Sequence, residues 1–380
     1  MTAIENDRIY FGLENVLVAE TKMSHIDGER GKLTIRGYPL EEFAQRKSNE
    51  EVAYLLLNGE FPVGDEIEQF KRMMWNSREI PSATYDLIRK AASNPELHPM
   101  SALQMGISSL AIEFGEVGSK DLQRVRQVGL QIVAKVPTII AAFWRFREGL
   151  DPIPPRNDLG HAENFLYMLN GEVPSKERSR ALETYLNVVA DHGFNASTFV
   201  ARAIVSTNSD LISALTGAVG SLKGDKHGGA PGPALDMIFE IGDVEKTRDY
   251  VINKVKNREV IMGFGHRVYK VRDPRAEVLS NAAKVLYQDE DREFYEKVTR
   301  MEQIIMDTLE ELKPGRRIKT NVEFYTALLL HGVGLKPEVF SSMFAMGRVA
   351  GWLGHILEQY ENNRLIRPRA KYVGEFGKKL

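Results

Sequence analysis

The chain contains no cysteine. That excludes a disulfide framework, a thiolate zinc site and a cysteine nucleophile. It also has little net charge, formally −2 over 380 residues. No bulk field therefore draws it to nucleic acid or to an anionic membrane. A long hydrophobic run is missing too. The most apolar stretch, Val133 to Phe143, holds Lys135 and Pro137 and falls short of the ~20 residues that cross a bilayer. Met1 to Arg8 is polar and mixed in charge, unlike a signal peptide. There is no short-period repeat and no low-complexity tract. The expectation is a soluble, cytoplasmic protein without a nucleic-acid or membrane partner. The length suits two ordinary domains or one large one.

What is present is mostly helical text. Leu103, Ile107, Leu110, Ala111 and Phe114 fall on one helical face. Leu182, Tyr185, Leu186 and Val189 do the same, as do Met301, Ile304, Ile305, Thr308, Leu309 and Leu312. A long C-terminal segment repeats the pattern with Phe340, Met343, Phe344, Gly347, Leu353, Ile356, Leu357 and Tyr360. Strand-like text is confined to the start. Val16 to Ala19 and Lys32 to Arg36 flank Ile26-Asp27-Gly28 and predict a small antiparallel pair. The fold class is mainly α with a small N-terminal β element. Breakers stand at Asp151 to Pro155, Gly224 to Pro233 and Lys313-Pro314-Gly315. Punctuation at Gly224 and Gly332 predicts a large domain from 1–223 and 332–380, with a smaller domain, 224–331, inserted in it.

Three of the eight histidines sit beside loop signals that contain glycine. His192 lies in Asp191-His192-Gly193-Phe194-Asn195-Ala196-Ser197-Thr198. There Gly193 can leave the helical conformation and Asn195 or Ser197 can cap the next helix. His227 lies in His227-Gly228-Gly229-Ala230, and His266 in Gly263-Phe264-Gly265-His266-Arg267-Val268-Tyr269-Lys270. Arg267, Lys270, Arg272 and Arg275 follow His266 within nine residues. Guanidinium groups grip carboxylate or phosphate through paired hydrogen bonds, so the cluster predicts an anionic substrate. No histidine pair has the short spacing of a helical zinc motif, and the arginines would repel a cation; no metal is expected. The chain has no nucleophile-elbow pattern for a serine hydrolase.

Read together with Gly12-Leu13-Glu14-Asn15-Val16, His25-Ile26-Asp27-Gly28, Asp273-Pro274-Arg275, Asn321-Val322-Glu323-Phe324-Tyr325 and Leu365-Ile366-Arg367-Pro368-Arg369, these segments resemble the citrate synthase family over nearly the whole chain. The length and the Arg-Pro-Arg ending resemble its shorter bacterial and archaeal members. The resemblance implies condensation of acetyl-CoA with oxaloacetate, then thioester hydrolysis, in a two-domain helical homodimer. It implies acetyl-CoA as co-substrate and no permanently bound cofactor. Matched motif to motif, His227 would bond the thioester oxygen, His266 would polarise the ketone, and Glu323 would remove the methyl proton. His192, Arg275 and Arg348 would hold oxaloacetate, joined by Arg367 from the partner subunit. Val260, Ile261, Met262, Gly263 and Phe264 would form the CoA-binding turn.

Two departures stand out. The family usually carries aspartate where this chain has Glu323, although a subset of bacterial members resembles it in carrying glutamate. Asp225-Lys226 precedes His227 where a proline and an apolar residue are more usual; the pair would either shift the pKa of His227 or form a surface pair. The resemblance leaves open 2-methylcitrate synthase, using propionyl-CoA, because one methylene discriminates by only ~1–3 kcal/mol. It also leaves open a weakly active regulatory paralogue.

Overall fold

The computed structural model describes residues 9–228, 231–266, 268–288 and 291–380. Helices dominate, and one small sheet lies near the start. Its strands are Ser24–Asp27, Lys32–Ile35 and Tyr38–Pro39, all antiparallel. Ser24 pairs with Ile35 and Asp27 with Lys32, so the hairpin turns at 28–31. The strand opposite Lys32–Ile35 is therefore Ser24–Asp27, and the expectation for Val16 to Ala19 is corrected. That segment is irregular, and Leu17 is exposed. Leu33 and Ile35 alternate into the core, which sets the register the sequence pattern alone left undetermined.

Helix ends follow local chemistry. Ser48 caps Asn49–Asn58, accepting from the Glu51 N–H while the Glu51 side chain returns to the Ser48 N–H. Asp121 caps Leu122–Arg147 through the Arg124 N–H. This helix continues past Pro137 and is 26 residues long. It thus exceeds the apolar stretch inside it and is long and apolar enough to cross a bilayer by length and composition. Its apolar window is 83% buried within the fold, however, as in the core helix of a globular protein. Lys135 is buried there because its ammonium group donates to the Glu79 carbonyl and pairs with Glu113 at 3.2 Å.

The helix Phe340–Glu361 is the centre of the molecule. It packs on Leu122–Arg147, Lys176–Val189, Ala196–Ser206 and Leu211–Leu222. Trp352, Leu353, Ile356 and His355 are all fully buried. Burying each large apolar side chain contributes about 1.5–3 kcal/mol, so a helix buried all round is held firmly. Gly351 lets it touch the end of Lys176–Val189: a Cβ there would collide with the Ala190 carbonyl. The face predicted over 103–114 bends at Leu110, between Pro99–Ser109 and Ala111–Phe114. Two of the three predicted breaks hold over their length, and the middle one, Gly224 to Pro233, is shorter than expected because a helix, Pro231–Ile241, starts inside it. Residues 151–156 have no regular secondary structure, 224–228 form turns, and Arg292–Leu312 stops before Lys313.

Candidate functional site

The turn that carries His266 is built from backbone hydrogen bonds. Gly265 N–H donates to the Lys319 carbonyl (2.8 Å) and Asn321 N–H to the Gly263 carbonyl (2.9 Å). Phe264 and Thr320 form an antiparallel bridge, and the Asn321 side chain donates to the Gly265 carbonyl at 2.8 Å. Lys270 N–H ties the far side to Gly28 in the hairpin (2.9 Å). Gly263 has φ +80, and a Cβ there would lie 2.8 Å from that of Phe324. Only glycine meets both demands. Asn321 also caps Val322–Gly332 by accepting from the Glu323 N–H at 2.9 Å. The histidine turn and the glutamate helix are thus one assembly.

His266 Nδ1 accepts the N–H groups of Val268 and Tyr269, each at 3.0 Å. Its proton is then on Nε2, free to donate outward. Because Nε2 carries that proton, the 3.5 Å approach of Arg275 Nη2 is a contact and not a hydrogen bond. His227 is the reverse. Its Nε2 accepts the Ser197 N–H at 3.3 Å and lies 2.8 Å from the Ser197 hydroxyl. Its proton is on Nδ1. Trp352 Nε1–H in turn anchors Ser197 Oγ at 3.1 Å. His192 meets the Tyr269 hydroxyl at 3.0 Å, and its ring stands edge-on to His266, centroids 5.9 Å apart.

Burial, with Arg348 next, pushes His227 down to about 4. Burial and Arg275 do the same to His266, also to about 4. Burial, Arg275 and Arg348 hold His192 well below its ordinary value. All three are neutral hydrogen-bond donors or acceptors at pH 7. Glu323 moves the other way. Burial pushes its carboxyl up to about 7, against the pull of Arg275 and Arg348 and with the help of Asp273. Burial lowers Arg348 to about 10, and Arg275 opposes its charge as well; it still carries that charge at neutral pH.

The two arginines are aimed by different devices. Asp273 grips Arg275 bidentately, at 3.0 Å to Nε and 2.7 Å to Nη2. Arg348 donates from Nε to the Val189 carbonyl at 2.6 Å and lies 4.8 Å over the Phe344 ring. Among the described residues, Arg348 keeps both terminal nitrogens for an anion. Two such forks with three neutral histidines can orient a dicarboxylate.

The structure therefore gathers His192, His227, His266, Arg275, Arg348 and Glu323 from remote parts of the chain. Gly263 and Phe264 lie directly against the glutamate helix, with Ile261 buried, Met262 half-buried and Val260 exposed. Arg367 is not gathered. It is exposed and lines a different cleft, about 1130 Å³, with Arg202, Arg36 and Glu358. The positive cluster after His266 is also smaller than its spacing implies. Arg272 is diverted to Glu277 (2.6 Å) and Glu302 (3.2 Å), and Lys270 is exposed. Arg267 lies outside the described residues, as do Gly229 and Ala230. Asp225 and Lys226 are exposed, and the shift of His227 comes from burial and Arg348 instead. Among the described residues no group of three acidic or histidine side chains is arranged for a metal ion. Sequence reasoning missed Tyr269 as the partner of His192, Asp273 as the clamp on Arg275, and Tyr185, a fully buried phenol beside Glu323 and both arginines. The available signal was helical spacing: Tyr185 lies on the periodic face of 182–189, and Phe344 stands four residues before Arg348.

A buried carboxyl with a raised pKa, near neutral imidazoles and two arginines, suits an enzyme that moves a proton beside a carbonyl. Comparison with known proteins narrows this class. The family model described as citrate synthase, C-terminal domain, matches residues 12–369. Citrate synthase 2 of Bacillus subtilis is 41% identical over 96% of this chain and 95% of its own. A 2-methylcitrate synthase of Mycobacterium tuberculosis is 38% identical over 98% and 92%. The Thermoplasma acidophilum citrate synthase, solved as a ternary complex with carboxymethyl coenzyme A and oxaloacetate, superposes with a TM-score of 0.91. It is 29% identical, covering 99% of this chain and 98% of that one. The chain belongs to the citrate synthase family and is an enzyme of the citrate synthase type. Enzymes of this type use acetyl-CoA as a substrate and need no resident cofactor.

Proposed function

We propose that the protein condenses acetyl-CoA with oxaloacetate and hydrolyses the citryl-CoA thioester to citrate and CoA. The carrying observation is the pairing of two oppositely protonated neutral histidines with a carboxyl of pKa about 7. The methyl hydrogens of a thioester are very weakly acidic. Glu323 takes one while His227 Nδ1–H donates to the thioester oxygen, where negative charge develops. Such a donor is worth roughly 3–4 kcal/mol. His266 Nε2–H donates to the ketone oxygen of oxaloacetate, so that the enol carbon attacks a polarised carbonyl. Arg275, Arg348 and His192 hold the two carboxylates. A water then cleaves the thioester, releasing CoA.

The remaining assignments belong to the same reading. Residues 260–264 carry CoA. Residues 224–331 form a small domain that closes on the large one, 1–223 and 332–380, keeping water out until the carbon–carbon bond exists. The protein acts as a cytoplasmic homodimer, and Arg367 enters the partner's site. Support for the dimer comes from Arg367 standing apart from the other six side chains, and from exposed Phe11, Leu17, Leu365 and Phe376 in the flanking segments.

The similarity to a 2-methylcitrate synthase favours a second reading, with propionyl-CoA as the acyl donor. Thiol release from acetyl-CoA and propionyl-CoA, each with and without oxaloacetate, separates the two. The first reading expects oxaloacetate-dependent release with kcat/KM favouring acetyl-CoA. A preference for propionyl-CoA replaces it with the second, and no oxaloacetate-dependent release from either thioester contradicts both.

A further inference from the structure

His192 stands between two residues that turn away from the substrate. Asp191 is fully buried, and its Oδ1 accepts from His355 Nε2 at 3.1 Å. Its Oδ2 accepts from the Ser24 hydroxyl at 2.5 Å. Ser24 Oγ in turn accepts the Gly193 N–H at 2.8 Å. Gly193, after His192, is thus tied through Ser24 to the buried carboxylate of Asp191, before it, and sits at φ +60.

His355 is buried as completely as Asp191. Its protonation follows from its neighbours. Arg202 Nη1 lies 3.3 Å from His355 Nδ1. A guanidinium does not give up its proton, so Nδ1 accepts and Nε2 carries the proton donated to Asp191. Glu358 Oε2, 3.9 Å from Nδ1, is too distant to compete and takes Arg202 Nη1 at 2.6 Å instead. Gln359 accepts from Arg202 Nε at 2.9 Å, and Glu358 Oε1 accepts the Lys22 N–H at 2.7 Å. A continuous line of hydrogen bonds thus runs from Lys22 through Glu358, Arg202, His355, Asp191 and Ser24 to Gly193.

A buried ionic network of this kind adds little stability over a well-packed apolar replacement. It does impose direction, because each donor and acceptor has one partner that satisfies it. His355 lies two helical turns beyond Arg348, on the same face. Asp191 also acts electrostatically on Arg348. One face of one helix therefore addresses both the arginine and the histidine of the same subsite.

We propose that His355 is a positioning residue for oxaloacetate: it clamps Asp191 and, through Ser24, fixes the turn that aims His192. The proposal rests on the assignment of His192 to the oxaloacetate subsite. His355 touches no substrate in this reading; it acts through the Asp191 carboxylate on the turn that carries His192.

The test uses the full-length protein and four single variants. His355→Leu removes both hydrogen bonds. It should raise the oxaloacetate KM about tenfold or more, the scale of one lost charge-assisted hydrogen bond, with the acetyl-CoA KM nearly unchanged. His355→Gln can still donate to Asp191 and accept from Arg202, and it should restore most of the loss. Ser24→Ala breaks the other end of the line and should reproduce the oxaloacetate-selective defect. Combined with His355→Leu it should add less than the sum, because both act through one turn. His192→Ala tests the underlying assignment. If it leaves the oxaloacetate KM unmoved, the subsite reading falls and the proposal falls with it. If it raises that KM while His355→Leu and Ser24→Ala do not, the proposal is overturned and the subsite reading stands. A His355→Leu loss that strikes both substrates equally, or that glutamine fails to rescue, also overturns it. Should the leucine variant not fold, Ser24→Ala decides alone.

Discussion

His227 and His266 are the same side chain, shifted to the same pKa of about 4, yet their surroundings are built in opposite ways. His266 turns its Nδ1 to two backbone N–H groups of its own loop. His227 turns its Nε2 to Ser197, thirty residues earlier in the chain, and Ser197 is anchored by Trp352. One is aimed by a local turn, the other by packing between remote helices. The products are opposite tautomers: the proton is on Nε2 in the first case and on Nδ1 in the second. A neutral N–H donor can thus be prepared by either route, provided the accepting nitrogen is committed and charge is kept off by burial and nearby arginines.

Removing either donor should produce the largest effect. His227→Ala and His266→Ala are each expected to lower kcat by about 100- to 1000-fold, the loss of one oxyanion donor. The comparison is sharpened by what survives. His266→Ala should still enolise acetyl-CoA, whereas His227→Ala should not, since only His227 faces the thioester in this account. Methyl-proton exchange into solvent, followed by NMR with a non-condensing dicarboxylate bound, reads the difference. Equal exchange in the two variants would erase the division of labour.

Next in size are the arginines. Arg275→Leu and Arg348→Leu should each raise the oxaloacetate KM by about 10- to 100-fold, the equivalent of about 1.5–3 kcal/mol for a charge-assisted contact. The acetyl-CoA KM should move far less. Arg275 is additionally clamped by Asp273, so Asp273→Asn should share its oxaloacetate defect. Steady-state kinetics with each substrate varied in turn decides both points.

The assignment of Arg367 to a partner's site predicts a smaller, reciprocal effect. Arg367→Leu and His266→Ala subunits, each inactive as pure homodimers, should regain part of the activity after subunit exchange, because one mixed site then holds both intact residues. No recovery despite exchange seen by native mass spectrometry would mean that each site is built from a single chain.

The smallest effect is on stability. The Glu323 carboxyl is raised to about 7 from an ordinary value of 4.5. A raised pKa means the folded state holds the proton more tightly than the unfolded chain does. That contribution is fully present below about 4.5 and is lost as pH rises through about 7. Glu323→Gln cannot ionise, so its gain in Tm over the wild type should be greater at pH 8 than at pH 5. A Tm difference independent of pH would contradict the buried, raised carboxyl.

Much of the fold was legible because it follows local rules. The apolar face of 182–189, the C-terminal face from Phe340 to Tyr360 and the breaks at 151, 224 and 313 emerge from period and punctuation. Six of the seven residues expected at the substrate lie together, and those expectations rested on motifs. Local text did not carry the partners. Tyr269 for His192, Glu302 for Arg272 and His355 for Asp191 are pairings between distant segments, and such pairings leave no period to read. The first strand was misplaced for the same reason: Val16 to Ala19 has strand-like residues, but the core accepts its partner from Ser24–Asp27. The helix through Pro137 outran its apolar stretch because tertiary burial overrides the loss of one hydrogen bond.

The central claim is that Glu323, with its extra methylene, is the base that abstracts the methyl proton. Methyl-proton exchange of acetyl-CoA, measured from pH 5.5 to 8.5 with a non-condensing oxaloacetate analogue bound, tests it most directly. A base must be ionised to act. The wild-type exchange rate should therefore rise with pH and level off above about 7, the value to which burial lifts Glu323. In Glu323→Gln it should fall at least about 100-fold at every pH, in line with losing a general base, with the analogue still bound. Undiminished exchange in the glutamine variant would contradict the account.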